Sequence, residues 1–182
     1  MNILKIKDRV SGDYFHLGFM REARKLATAL EDHLRGRYSG RATYLAGHSL
    51  GGAVAALINR WQPFEGCYTF GSPRIGSVSR LGYEFEPFAM RRNLDVIPHC
   101  PPAAFRYADF PKQIAPDGKP FQPADAVELY LFGSWLFQLS LGHFPEHHAI
   151  ERYRLELLDA LKLDQRIEGW IGKCPDVAPY AP

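Results

Sequence analysis

Between an apolar, strand-like run (Thr43-Tyr44-Leu45-Ala46) and an alanine-rich, helix-like one (Ala53 to Trp61), the chain reads Gly47-His48-Ser49-Leu50-Gly51-Gly52. A serine on a sharp strand-to-helix turn takes a strained backbone. Side chains two residues before and two after it would meet where the turn doubles back, so glycines at 47 and 51 relieve the crowding. The same bend aims the Leu50 amide N–H toward the oxygen of a carbonyl attacked by Ser49, so nucleophile and one oxyanion donor arise from one local structure. The flanking strand and helix separate this pattern from a glycine-rich turn that merely caps a helix and leaves Ser49 a surface hydroxyl.

The rest of the chain supplies a frame for such an elbow. Residues 3–10 alternate weakly, predicting a short strand, and Ser11-Gly12-Asp13 reads as a turn. Met20, Ala23, Ala27, Leu30 and Leu34 step by three and four, which predicts an amphipathic helix from Gly18 to Arg35 ended by Gly36. Cys67 to Phe70 reads as a buried strand running into Gly71-Ser72-Pro73-Arg74, and Pro87 to Arg92 as a further strand closing at Asn93-Leu94-Asp95. Strands alternating with helices predict an α/β fold with a mainly parallel central sheet flanked by helices. Farther on, Phe105 to Tyr107 and Gln113-Ile114 are expected to pair as a ribbon around Asp117-Gly118.

Leu129 to Leu141 carries no charge; it is too short to cross a bilayer and too apolar for an ordinary exposed helix. Two readings stand for it: a buried helix covering the sheet, or an interfacial element that makes transient contact with a lipid surface, with Leu131, Phe132, Trp135 and Leu136 touching acyl chains. A last helix is predicted from His147 to Leu163, with Ile150, Tyr153, Leu157 and Leu161 on one face, followed by a frayed proline-rich tail at 175–182.

At 182 residues and 46% apolar, the chain is expected to form a single domain over 1–182. A net charge of +2 gives no electrostatic reason to expect nucleic acid as a partner. Cys67, Cys100 and Cys174 lack ligand spacing, so neither a metal site nor a disulfide framework is expected. The first residues lack the apolar core of a signal peptide, and no stretch approaches the ~18 uncharged residues of a membrane span. The chain as given is therefore read as cytoplasmic, with secretion the alternative if an upstream segment is missing.

A serine hydroxyl needs an imidazole to take its proton and a carboxylate to hold that imidazole. In α/β-hydrolases the order is serine, acid, histidine. Asp95 ends a predicted strand and enters an irregular loop, where the acid belongs; Asp109, Asp117 and Asp125 are weaker candidates. The histidines that follow are His99, His143, His147 and His148; His99 is too close to Asp95 in sequence, whereas His147 and His148 stand at a loop-to-helix junction.

His16-Leu17-Gly18-Phe19, the GHSLGG elbow, Thr69 to Gly76, Arg92 to Pro98 and His148 to Tyr153 follow one another as landmarks, and the chain resembles the class 3 lipases, the family that includes the fungal triacylglycerol lipases. The resemblance implies an α/β-hydrolase-like fold shortened at its N-terminus, with Ser49 as nucleophile, Asp95 as acid and His148 as base. His147 is the fallback base. It further implies hydrolysis of acylglycerols or related lipid or small esters through an acyl-enzyme, with no metal or organic cofactor.

Members of that family carry upstream strands and an Arg-Gly-Ser/Thr step that provides the second oxyanion donor. Here only fifteen residues precede His16, and Arg35-Gly36 ends a helix. The expectation is an uncovered sheet edge beside the elbow strand, closed by a missing N-terminal segment or a homodimer mate, or else a second donor from a loop near Gly12-Asp13 or Gly71-Ser72. A non-catalytic lipase-like protein that binds lipid or a partner protein is the competing reading.

Overall fold

The computed structural model describes residues 4–9, 12–34, 41–62, 64–77, 86–121, 133 and 146–163. In chain order these form β1 (Lys5–Lys7), β2 (Tyr14–His16), α1 (Leu17–Leu34), β3 (Tyr44–His48), α2 (Leu50–Trp61), β4 (Gly66–Phe70), β5 (Gly76–Ser77), β6 (Phe88–Met90), β7 (Gln113–Ile114) and α3 (Ile150–Leu163). Short 3-10 turns stand at Ile97–His99, Ala103–Phe105 and Glu146–His148.

Two sheets result. β3, β4, β6 and β7 lie side by side in that order, all parallel, while β1, β2 and β5 make a smaller antiparallel sheet. The fold is α/β with a parallel central sheet, as the alternation of elements predicts. β3 stands at the end of its sheet, with a strand neighbour on one side only among the described residues. α2 is buried from Gly52 to Asn59. Its small residues, Ala53 and Ala56 above all, let the helix lie close against the strands, and Met20 and Ala23 of α1 join Phe15, Leu57, Ile58 and Ala89 in the same core.

Two expectations need correction. Residues 103–105 form a 3-10 turn and do not pair with Gln113-Ile114; β7 instead extends the parallel sheet beside β6, with Ala89 opposite Gln113. The ribbon that does form runs from β7 back through Pro120 around Asp117-Gly118. The last helix begins at Ile150, not His147, because residues 146–148 turn in a 3-10 conformation that sets them apart from α3. The apolar run at 129–141, apart from Gly133, and the 175–182 tail lie outside the described residues.

Two groups of buried charge tie the loops to this frame. At the end of α2, Arg60 reaches Asp13 at 3.2 Å and Glu86 at 3.4 Å, and its guanidinium lies over the Phe15 ring. It thereby joins the β1–β2 turn to the lead-in of β6. Burial pushes the Glu86 carboxyl up to about 7 from 4.5, against the pull of Arg60 and Lys112. The folded protein therefore holds a proton there that the unfolded chain releases first, so this group's contribution to stability falls as pH rises from about 4.5 to 7. Melting temperatures measured across that window should decline with pH, and Glu86→Gln should remove this part of the decline.

The second group is built on Arg74. Its guanidinium donates to both carboxylate oxygens of Asp109, at 2.8 and 3.0 Å, and to the carbonyl oxygens of His99 and Pro101. Arg91 donates to the same Asp109 at 2.9 Å. Burial alone would raise the Asp109 carboxyl, but hydrogen bonds from Arg74 and the charges of both arginines outweigh it and hold it below its usual range. The loop after β6 is thus fastened to the loop after β4.

Candidate active site

The parallel sheet brings three loops to one end, those that follow β3, β4 and β6. Ser49 follows β3 and takes φ 56°, ψ −127°, a left-handed conformation that costs a side-chain-bearing residue about 1–3 kcal/mol. Its N–H donates to the Phe70 carbonyl of β4 at 3.0 Å, and its own carbonyl accepts the Gly52 N–H at 3.0 Å. The hydroxyl makes no capping bond to α2.

The glycines around it play unequal parts. A methyl group at Gly47 would stand 2.3 Å from the Gly51 carbonyl oxygen and 2.7 Å from the Gly52 nitrogen. One at Gly52 would stand 2.8 Å from Ser72 Cβ, whereas nothing among the described residues lies within 4 Å of a methyl at Gly51. The crowding foreseen for 47 and 51 falls on 47 and 52, because residue 52 is the one that faces the loop after β4.

Asp95, fully buried, lies in the loop after β6. His148 Nδ1 donates to its carboxylate, 2.9 Å from Oδ2 and 3.1 Å from Oδ1. The Tyr153 hydroxyl donates to Oδ2 at 2.5 Å, and the Ile97 N–H to Oδ1 at 3.0 Å. Burial, followed by the Asp95 charge, pushes the Tyr153 phenol far above its ordinary range, which keeps it a donor. Gly71, at φ 57°, passes so close that a methyl there would stand 2.7 Å from Asp95 Oδ2 and 3.1 Å from His148 Cε1. Only glycine both adopts that backbone and leaves room for the pair.

His148 is buried. His147 is exposed, and its carbonyl oxygen accepts a hydrogen bond from Arg92. The structure thus brings His148, and not His147, to Asp95. The weaker acid candidates go elsewhere: Asp109 to Arg74 and Arg91, and Asp117 to Lys119 on the surface. His99 is buried, with its carbonyl held by Arg74. Asp125, His143 and the four acyl-contact candidates, Leu131, Phe132, Trp135 and Leu136, lie outside the described residues. Sequence reasoning missed Tyr153 and Gly71 as companions of the acid, and His48 as a companion of the base. The fixed offset from His148 to Tyr153 was the available signal for the first.

The Leu50 N–H belongs to the first turn of α2, whose amides have no acceptor within the helix. Of the loops considered for a second donor, the amides of Gly12 and Gly71 are engaged, donating to the carbonyl oxygens of Asp8 and Met90 at 3.0 and 3.1 Å. An apolar groove of about 610 Å³ starts at Leu50 and Gly51 and runs between α1, α2 and β3, lined by Leu26, Leu30, Leu45 and Val54 among others. Neither Asp95 nor His148 lines it. Among the described residues there is no helix long and apolar enough to cross a membrane, and no group of three His, Cys, Asp or Glu side chains that could hold a metal ion. Cys67 and Cys100 are buried.

Comparison with known proteins gives this geometry a context. The secreted mono- and diacylglycerol lipase 1 of Fusarium solani is 29% identical over 131 residues, covering 64% of this chain and 38% of that protein. A lipase of Rhizomucor miehei is 33% identical over 115 residues, covering 54% of this chain and 31% of that one. The chain thus spans about a third of the length of these curated relatives. Lipase II from Rhizopus niveus superposes with a TM-score of 0.51 at 22% identity, over 59% of this chain and 47% of that structure, a likeness of fold. The family model described as Lipase (class 3) matches residues 2–105, from β1 through the elbow and Asp95, and the chain belongs to that family.

Proposed function

We propose that the protein is a serine carboxylester hydrolase acting on acylglycerols or related lipid esters. Ser49 Oγ attacks the ester carbonyl while His148 Nε2 takes its proton, and Asp95 accepts the hydrogen bond from Nδ1–H that fixes the imidazole tautomer. The Leu50 N–H receives the developing oxyanion. His148 then returns the proton to the leaving alcohol, and water, activated by the same imidazole, releases the acid from the acyl-enzyme.

The observation that carries this reading is the buried pairing of His148 Nδ1 with Asp95 at the strand ends, beside a serine strained at an elbow. Lipid esters are favoured by the printed names of the relatives and by the apolar groove that begins at the two residues after Ser49. Incubation with a fluorophosphonate, followed by peptide mass spectrometry, is expected to place one adduct on Ser49 and none in His148→Ala. No adduct on the wild-type protein would overturn the reading. p-Nitrophenyl esters from acetate to palmitate then report the acyl length preferred.

A further inference from the structure

His48 is the last residue of β3 and the neighbour of Ser49, and both of its interactions lead to the segment that bears the base. Its ring stacks on that of His148, with centroids 4.6 Å apart and planes 28° from parallel. Its Nε2 lies 2.8 Å from the main-chain carbonyl oxygen of His148. A carbonyl can only accept, so Nε2 carries the proton and His48 is the donor. The preceding carbonyl, that of His147, is held by Arg92, which also binds Glu156 at 2.7 Å and lies over the Tyr153 ring. Two successive carbonyls of the 3-10 turn at 146–148 are thus gripped, one from the end of β3 and one from the loop after β6.

We propose that His48 is a positioning residue for the base: through its stack and its hydrogen bond it fixes the His148 imidazole relative to the serine carried by the same strand. The proposal rests on the hydrolase reading for its kinetic consequences, though not for its geometry. Because one residue separates neither group from the other, any displacement of β3 carries the nucleophile and the anchor of its base together. A misplacement of about 1 Å in such a constellation costs as much as 100-fold in rate.

The stack has an electrostatic side as well. The groups that face His48 are His148, Asp95 and Glu151, with the Tyr153 ring edge-on at 6.1 Å. Burial first, and then the His148 charge, lower the pKa of His48, against the raising effect of its hydrogen bond and of the two carboxylates. Neutral at working pH, it nevertheless gains a proton in acid, and a charge there opposes a second one on the stacked ring.

The test compares wild type with His48→Phe, which keeps a stacking ring without a donor, and His48→Gln, which keeps a donor without the ring. Turnover of p-nitrophenyl butyrate is expected to fall about 10- to 100-fold in His48→Phe with KM within about twofold, and His48→Gln should restore part of the loss. Imidazole ¹⁵N resonances read, without any turnover, the Nε2–H tautomer of His48 in wild type, which the hydrogen bond to the His148 carbonyl requires. An active wild type whose variants keep kcat overturns this inference alone. A wild type without esterase activity overturns the hydrolase reading, and the ¹⁵N resonances, expected to show Nε2–H at His48 and a displaced His148 imidazole in His48→Phe, then decide the role of His48 by themselves.

Discussion

Asp95→Asn is expected to lower ester turnover about 10⁴-fold, and Ser49→Ala about 10⁶-fold, with the fold intact in both. The reason for the first lies in the three donors converging on that carboxylate: His148 Nδ1–H, the Tyr153 hydroxyl and the Ile97 N–H. An asparagine brings an NH₂ into a place where every neighbour already donates, so whichever way it is turned, one donor faces another. His148 can relieve this only by moving its proton to Nε2, the nitrogen that must receive the serine proton. Steady-state rates with p-nitrophenyl butyrate, beside far-UV circular dichroism of each variant, separate lost chemistry from lost structure. A fall of less than tenfold in Asp95→Asn would remove the carboxylate from the mechanism.

Asp109→Ala is expected to cost about 3 kcal/mol of stability, the lower end of what breaking a buried ion pair costs, because Asp109 keeps 30% of its side chain exposed. The change strands two guanidiniums at once: those of Arg74, 3% exposed, and Arg91, 4% exposed. Arg74 would still have the carbonyl oxygens of His99 and Pro101, but those satisfy hydrogens and leave the charge uncompensated. Urea unfolding followed by tryptophan fluorescence measures the loss. A value below about 1 kcal/mol would class this pair with ordinary surface ion pairs. Since Arg74 fastens the loop that runs on from Asp95, the variant should lose activity at temperatures below its melting point.

Much of this was legible in the residues themselves. The elbow announced itself because strand, turn and helix each have a local signature, and α1 and α3 because their apolar residues recur at helical spacing. Asp95 and His148 could be named because chain order and strand ends restrict where an acid and a base can stand. The structure brings that acid and that histidine together, and leaves His147 facing solvent. What escaped was everything decided by approach in space. A strand of two residues such as β5 has no periodicity to read, and Gln113-Ile114, though expected as a strand, carries no pattern that names β6 as its partner. The left-handed turn at Gly71 matters only because Asp95 and His148 pass beside it, and the crowding at Gly52 only because Ser72 lies across from it. His48 looked like one letter of a motif, and its meaning came from a residue 100 positions away.

β3 leads into Ser49 yet has a strand neighbour on one side only among the described residues. Because the Ser49 N–H points to β4, strand alternation turns the amides of Leu45 and Gly47 the same way and those of Ala46 and His48 outward. Among the described residues the mount of Ser49 is therefore asymmetric: latched along one side, with no strand along the other. Deuterium should enter it one residue in two, and any chain laid along the open side would harden the elbow without touching a single reacting atom.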